Sequence, residues 1–261
     1  MKNKKVLFYS NVQNVDLFNT QMFYKIDINL LRSLDFKVLV TNRISDFFRI
    51  NNYDYAFLYF FKYSFFAGLI AKLFNKKVYF TGGIDDLNSD NKAVKFRQIV
   101  FLYLCYFVSD NCLIVSTSDL ENVKSRLCFQ KKLKLCLHSI DLSNYYENEK
   151  IDITEKIDFA TICRMEDINN VIRKGVDLSL QIFSNLIKKD DFRNFKFYII
   201  GKQGQGSDFL KKIINNLGIE EHVIFTGVIS EQEKVAILKK TKYYFQLSKM
   251  EGFGIAALEA L

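Results

Sequence analysis

The 261-residue sequence contains no proline and no tryptophan, and it has only two histidines. Its five cysteines form no Cys-x-x-Cys pair, so the usual spacing of a zinc site or a dithiol redox centre is missing. We expect buried, reduced thiols, which favours a reducing cytoplasm over a secreted, disulfide-linked fold. No stretch is long and apolar enough to span a bilayer. The N-terminus, MKNKKVLFYS, is predicted to be a first strand rather than a signal peptide.

The charge balance is basic, with a net charge of +8 and 49% hydrophobic residues. That length and hydrophobic content suffice for one large or two modest domains with their own cores. A basic protein suits a nucleotide or phosphate substrate, an anionic membrane or nucleic acid. Because the sequence has no RNA-binding signature and no long Lys/Arg block, nucleic acid is the weakest of these options, and we expect no nucleic-acid partner.

Apolar strand patterns alternate with helical periodicity along the whole chain, which predicts βαβ units and an α/β fold with parallel sheets. A polar, charged stretch at 145–157 interrupts this pattern. We therefore predict two domains, residues 1–145 and 146–261. The helix over DLENVKSRL is expected to begin at Ser118 or Asp119 as its N-cap.

A group of cations lies between the first strand of the second domain and the next helix. The strand is predicted over KIDFATICRM and is followed by a loop, EDINNVI, which leads to Arg173, Lys174 and Gly175. Arg offers a planar fork and Lys a mobile point charge, and both suit a diphosphate. Surface Arg and Lys are common, so these residues alone do not establish a phosphate site.

The last stretch, LSKMEGFGIAALEAL, places two glutamates seven residues apart, Glu251 and Glu259, around a glycine loop and a helix start. Backbone N–H groups at such a loop and helix N-terminus favour an anion, and a carboxylate can accept hydrogen bonds from a ribose. An ordinary strand–loop–helix unit with two solvated glutamates remains the alternative, because a glycine-rich turn alone is a weak signal.

The complete string EGFGIAALEA resembles the Glu-x(7)-Glu signature of retaining, GT-B-fold glycosyltransferases of family 4, the glycosyl transferases group 1. The strings FKFYIIGKQGQG and HVIFTG resemble two further strands of that family. The likeness is dense over residues 156–261 and general over 1–150. It implies an α/β fold of the GT-B type, in which two Rossmann-like domains face each other across a cleft. It also implies a nucleotide-diphosphate sugar as donor, with neither a cofactor nor a metal.

The resemblance assigns roles to particular residues of this chain. It places Glu251 near the transferred sugar and Glu259 on the ribose. The two cations of its donor-phosphate motif match Arg164 and Lys174. The spacing leaves open whether Arg173 or Lys174 points inward. The remaining donor-binding candidates are Gly201 and the loop Gly252, Phe253, Gly254 and Ile255.

Asp85 is a candidate at the end of a strand in the first, acceptor-side domain, one residue after the pair Gly82 and Gly83. Polar residues there lie where open α/β sheets place ligands. The same string is also good turn chemistry, and the two interpretations are compatible.

The sequence thus predicts a retaining glycosyltransferase acting on a saccharide or lipid-linked saccharide in bacterial surface polysaccharide assembly (O-antigen, capsule or exopolysaccharide). A non-catalytic nucleotide-sugar-binding or partner subunit is the alternative. We expect a cytoplasmic protein with peripheral contact to an anionic inner membrane face. Because the family continues beyond the helix that carries Glu259, we also expect a truncated second domain that is poorly stable in isolation, and the sequence leaves open whether the truncated chain is active. The aromatic and basic residues that suggest membrane contact are Phe47, Phe48, Arg49, Phe65, Phe66 and Lys72.

Overall fold

The computed structural model describes residues 4–89, 91–140, 157–249, 251 and 253–261. The chain divides into two compact units, residues 1–140 and 141–261, here called the first and the second unit. The predicted boundary near residue 145 falls in 141–156, outside the described residues, and stays a prediction. Each unit has its own sheet and core and is described by itself.

The first unit is built on a six-stranded sheet in which every strand pair is parallel, in the order β2-β1-β3-β4-β5-β6. Its strands are short and apolar, as expected for a parallel sheet that is covered on both faces. They are β1 (Lys5–Tyr9), β2 (Lys37–Thr41), β3 (Tyr55–Tyr59), β4 (Lys77–Thr81), β5 (Asn111–Ile114) and β6 (Leu133–Leu135).

Helices cover both faces of this sheet because its strand order reverses at β1. Right-handed crossovers then place the helix after β1 on one face and those after β3, β4 and β5 on the other. Separate core clusters form on the two faces, one around Phe8, Tyr24 and Tyr59 and one around Leu58 and Phe80. The helices are α1 (Leu17–Thr20), α2 (Met22–Ser33), α3 (Ser64–Leu73), α4 (Lys92–Val108) and α5 (Thr117–Lys124), with 3₁₀ turns at Ile44–Phe48, Ile50–Asn52 and Asp85–Asn88.

The second unit contains a four-stranded parallel sheet in the order β10-β7-β8-β9. Aromatic rings fill its core, with Phe159 and Phe183 at 5.3 Å between centroids and Phe183 and Phe197 also at 5.3 Å. The strands are β7 (Ile157–Ile162), β8 (Phe197–Ile200), β9 (Val223–Gly227) and β10 (Thr241–Tyr244). The helices are α6 (Ile168–Lys174), α7 (Val176–Leu186), α8 (Gln205–Leu217), α9 (Glu231–Lys240) and α10 (Ile255–Ala260).

Two local predictions are wrong. The segment EDINNVI is mostly helix α6 rather than a loop, because the Asp167 side chain accepts a hydrogen bond from the Asn170 N–H at 2.7 Å and caps the helix start. Helix α5 is capped by Ser116, whose Oγ accepts from the Asp119 N–H at 3.1 Å, rather than by Ser118 or Asp119. Strand β5 ends at Ile114, and this frees Ser116 for the cap.

The cysteines also differ from expectation. Cys105, Cys112 and Cys163 are buried, but Cys128 and Cys136 are exposed, and all five are free thiols. Gly218 ends α8 in the left-handed conformation, and Ser230 with Glu233 forms a capping box at α9. Among the helices of the described residues, none combines the length and apolar character needed to cross a bilayer.

Gly175 joins α6 to α7 with φ at +67°, and a Cβ on it would lie 2.0 Å from the carbonyl oxygen of Leu247. Gly218 has nearly the same φ, +66°, but no atom within 4 Å of such a Cβ. We expect Gly218→Ala to lower the free energy of unfolding by about 1–2 kcal/mol through backbone strain alone. Gly175→Ala should have the same strain and also a steric overlap with the Leu247 carbonyl, which should lower the free energy of unfolding by about 1–3 kcal/mol more. Urea unfolding of both variants measures the difference, and equal losses would contradict a tight contact at Gly175.

Candidate functional site

The candidate site lies at the carboxyl-terminal edge of the second sheet, where its strand order reverses. From β7 the chain proceeds to β8 and β9 on one side, whereas β10 pairs with β7 on the other. Ligands of open α/β sheets bind at such a reversal, beyond the strand ends. The segments that follow β7 and β10 are 163–167 and 245–254, and they carry Arg164, Glu251 and the loop candidates Gly252, Phe253 and Gly254.

The loop after β10 is seated directly on the junction of α6 and α7. Gly175 provides the space for the Leu247 backbone, because a Cβ at this position would overlap the Leu247 carbonyl group. The backbone N–H of Lys249 donates to the carbonyl oxygen of Arg173 at 2.8 Å. These two contacts fix the loop against the end of α6, so that Lys174 and Glu251, which are 77 positions apart in the chain, meet.

The Glu251 carboxylate is held by three donors on one oxygen. Its Oε1 accepts from the Lys174 ammonium, from Nε2 of Gln246 at 2.6 Å and from Oγ of Ser248 at 2.8 Å. The Lys174 and Glu251 side chains are 19% and 24% exposed, which makes their ion pair stronger than one in full solvent. The carboxylate is therefore fixed in orientation, and its second oxygen, Oε2, takes no part in these bonds.

Three cations gather around the end of β7. Burial raises the pKa of the Cys163 thiol to about 11, and the nearby charges of Lys174, Arg173 and Arg164 oppose that rise. Arg164 is largely exposed and lies 3.7 Å from Glu166, while Arg173 donates to Oδ1 of Asn170 at 2.8 Å. Of the two cations that the spacing left open, Lys174 thus reaches the Glu251 side of the site and Arg173 contacts its own helix.

Glu259 is almost completely buried in the second turn of α10, which is unusual for a carboxylate. Its Oε1 accepts from the Lys234 ammonium of α9 at 2.9 Å, and Lys234 also pairs with Glu231 at 2.8 Å. Burial raises the pKa of Glu259 above its ordinary value of 4.5, and the Lys234 charge opposes the rise. The Lys234 ammonium therefore favours the ionised form of this buried carboxylate.

Tyr244, at the end of β10, connects the two glutamates and was not predicted as a site residue. Its hydroxyl donates to Oε1 of Gln246 at 3.0 Å and accepts from the Ile162 N–H at 3.3 Å. Burial raises the pKa of this phenol, and the negative charges of Glu259 and Glu251 add to the rise. Gln246, Ser248 and Lys234 were missed for the same reason as Tyr244: each acts through a tertiary contact that no local motif marks.

The glycine candidates have structural functions that are visible here. Gly201, with φ at +142°, would place a Cβ 2.2 Å from the Cys163 carbonyl oxygen, so the neighbouring strand end already requires glycine. Gly254 adopts a left-handed conformation at the N-cap of α10, directly before Ile255. Phe253 is half-buried beside it. Gly252 lies outside the described residues, and the donor-binding roles of this loop stay predictions.

Asp85 begins a 3₁₀ turn after β4 in the first unit, but its side chain lies outside the described part of the structure. A different polar cluster occupies the strand-order reversal of that sheet, between β1 and β3. There the Tyr59 hydroxyl bonds to the Asp27 carboxylate, and Ser10 Oγ lies 2.7 Å from the Tyr24 hydroxyl. Burial raises the pKa of Asp27. Across the described ranges, no group of three or more His, Cys, Asp or Glu side chains is arranged to hold a metal.

The Glu259–Lys234 pair generates a stability prediction. Lys234→Met should leave a buried carboxylate without its cation and lower the free energy of unfolding by about 3 kcal/mol at neutral pH. Because the pKa of Glu259 then rises further, the loss is complete above that raised pKa, fades as the pH falls through it, and is gone below the ordinary value of 4.5. Urea unfolding of the parent protein and of Lys234→Met, at neutral pH and below pH 4.5, measures this difference in stability.

The matched control is Lys234→Met combined with Glu259→Gln, which removes both charges. This double variant should regain most of the lost stability at neutral pH. A double variant as unstable as Lys234→Met alone would show that Lys234 acts through packing of its side-chain carbons rather than through its charge.

Sequence comparison finds similarity to glycosyltransferases. Residues 168–261 match the family model described as glycosyl transferases group 1. An uncharacterized glycosyltransferase of Methanocaldococcus jannaschii is 22% identical over 187 residues, 67% of this chain and 44% of that protein. A GDP-mannose:cellobiosyl-diphosphopolyprenol alpha-mannosyltransferase of Xanthomonas campestris is 28% identical over 91 residues, 34% of this chain and 23% of that protein. The matched segments thus span less than half of either relative.

Solved structures show the same fold over nearly the whole chain. HepE of Anabaena, crystallised with UDP and glucose, superposes with a TM-score of 0.72 at 14% identity and covers 98% of this chain and 78% of its own. Sucrose-phosphate synthase of Thermosynechococcus elongatus gives a TM-score of 0.72 at 10% identity with the same coverage. Identities this low establish the fold alone. The similarity to the glycosyl transferases group 1 thus lies in residues 168–261, and the fold of the chain is of the GT-B class.

Proposed function

We propose that this chain forms the donor- and acceptor-binding units of a retaining glycosyltransferase that uses a nucleotide-diphosphate sugar. The observation that carries the proposal is the convergence of two glutamates and three cations at the strand-order reversal of the second sheet, around Tyr244 and Cys163. Glycosyl transfer from such a donor places new negative charge on the leaving diphosphate, and fixed cations stabilise it.

Lys174 is the best-placed cation for that role. It is partly buried, and Glu251 holds its ammonium group in place. A diphosphate beside Lys174 would pair with the same ammonium group as Glu251. The positive charges of Arg164 and Arg173 would stabilise it further. Arg164 is exposed enough to turn from Glu166 toward a bound anion. Because the protein itself supplies this positive charge, the proposed reaction needs neither a metal nor a cofactor.

The two carboxylates suit the sugar parts of the donor. Lys234 pairs with Oε1 of Glu259, so Oε2 can accept a ribose hydroxyl. At Glu251 all three donors bind Oε1, which leaves Oε2 for the transferred sugar. Backbone amides from Gly252 to Ile255 would complete the donor site, with Gly201 beneath it. These roles follow from the family resemblance together with the observed hydrogen bonds.

For the acceptor we propose a saccharide, or a lipid-linked saccharide, in bacterial surface polysaccharide assembly. The Xanthomonas relative is named for a diphosphopolyprenol acceptor, and this supports the lipid-linked form. The acceptor would bind the first unit, where Asp27 and Tyr59 supply a buried polar cluster at the strand-order reversal and Asp85 begins a turn at the end of β4. Such an acceptor would bring the protein to the inner face of the cytoplasmic membrane.

Isothermal titration with UDP and with GDP, without metal, tests the donor site. We expect one of them to bind, and Lys174→Ala to weaken that binding about tenfold to a hundredfold, since a hydrogen bond to a charged group contributes about 1.5–3 kcal/mol. Lys188→Ala is the matched control, because it removes the same charge at the far end of α7. Binding of neither nucleotide, or equal losses in both variants, would refute the proposed site.

Turnover separates transfer from mere binding. We expect Glu251→Gln to leave nucleotide affinity within about threefold and to lower the rate of sugar release or transfer about a hundredfold, as for loss of one preorganised charged contact. Glu220→Gln makes the same chemical change before β9, at the opposite edge of the sheet, and should be silent. Nucleotide binding without any turnover by the parent protein would favour the non-catalytic nucleotide-sugar-binding alternative.

A further inference from the structure

The first unit exposes an apolar stripe on each of two neighbouring helices. On α3, Phe66, Leu69 and Leu73 repeat at helical spacing on the solvent side, while Ala67 and Ala71 are buried against the sheet. The second stripe, along the outer side of α4, consists of Phe96, Val100, Leu104 and Phe107. These seven side chains are between 37% and 73% exposed. A helix that is apolar on all sides is normally covered on all sides.

Aromatic contacts extend the two stripes into one surface. Helices α3 and α4 lie on the same face of the sheet and pack together through Tyr63 and Phe101, whose rings are 5.3 Å apart. At one border Phe48 lies 6.5 Å from Phe74, and at the other Phe129 lies 6.0 Å from Phe107. We call this surface the α3–α4 face.

The charges of the α3–α4 face are of one sign. Neither helix contains an acidic residue. Lys92, Lys95 and Arg97, in the first turns of α4, form no ion pair with any carboxylate of the described residues. Lys72, at the end of α3, lies 3.0 Å from Asp110. A cationic rim beside exposed aromatic and aliphatic side chains is complementary to a surface that is anionic outside and apolar within.

The structure also corrects which aromatic residues belong to this surface. Phe47 is completely buried and Phe65 packs half-buried against the core, so neither of these two predicted membrane residues is available. Phe48 and Phe66 are exposed and do belong to the face. The sequence pattern could not separate them because adjacent aromatics on a helical turn point in different directions, and only the packing shows which direction is buried.

We propose that the α3–α4 face binds the surface of an anionic lipid bilayer. Its aromatic and aliphatic side chains would enter the headgroup region, and Lys92, Lys95 and Arg97 would attract the lipid phosphates. The inference deepens the proposed function, because a lipid-linked acceptor lies in that bilayer. Vesicle binding is measured without donor or acceptor, so failure of this inference and failure of the donor site are distinguishable.

Flotation with vesicles of phosphatidylcholine and phosphatidylglycerol, and with vesicles of phosphatidylcholine alone, tests the proposal. We expect binding to the anionic vesicles, weakened by high salt as screening shortens the reach of charge. Leu73→Glu and Phe96→Glu should each reduce it about tenfold or more, because a carboxylate replaces an inserted apolar group. Leu30→Glu is the matched control, since Leu30 is also an exposed apolar side chain but lies on α2, on the opposite face of the sheet.

A second pair of variants tests the charges separately. Lys92→Glu combined with Arg97→Glu should abolish binding to anionic vesicles while circular dichroism stays unchanged. Lack of binding by the parent protein, equal binding to uncharged vesicles, or an equal loss in Leu30→Glu would each overturn the proposal. So would a dimer seen by light scattering that Leu73→Glu dissociates, because the face would then be covered by a second copy of the chain.

Discussion

The seating of one loop on one glycine determines the candidate site. Gly175 leaves room for the Leu247 carbonyl, and the Lys249 N–H donates to Arg173 at the same junction. Without this contact the segment after β10 would have no fixed position relative to α6, and Lys174 would not meet Glu251. The parallel pairing of β10 with β7 brings the two segments to the same edge, and the glycine then sets their distance. The ion pairs and hydrogen bonds of the site therefore depend on the strand pairing and on the absence of a Cβ at residue 175.

The charges of the site are balanced against each other. Lys174 pairs with Glu251, and Lys234 pairs with Glu259, in both cases through a single carboxylate oxygen. Burial of an unpaired charge is costly, so these pairs allow ionised groups to be kept in a partly dry environment. The arrangement leaves one oxygen of each carboxylate and the cations around Cys163 available to a ligand that carries both phosphate and hydroxyl groups. Charges are not paired in this way on the α3–α4 face, where three cations at the start of α4 lack acidic partners among the described residues.

Much of the fold could be predicted because its signals are local. Apolar strand runs, helical periodicity, the Gly218 stop and the Ser230–Glu233 capping box all depend on residues a few positions apart. The errors also have local causes. Helix α6 was read as a loop because its asparagines are weak helix formers, although Asp167 caps its start and Gly175 its end. The inward direction of Lys174, and the bonding of Gln246 and Tyr244, depend on partners that are distant in sequence.

The sequence by itself determined the alternating α/β architecture, the family resemblance carried by Glu251 and Glu259, and the presence of cations after β7. These follow from periodicity and motif spacing, which the order of residues contains directly. Only the tertiary structure decided that Lys174 rather than Arg173 reaches Glu251, that Lys234 holds Glu259, and that Phe48 and Phe66 are exposed while Phe47 is buried. Each of these depends on which side chains the packed sheets and helices bring within a few ångströms, and that proximity has no signature in a linear pattern.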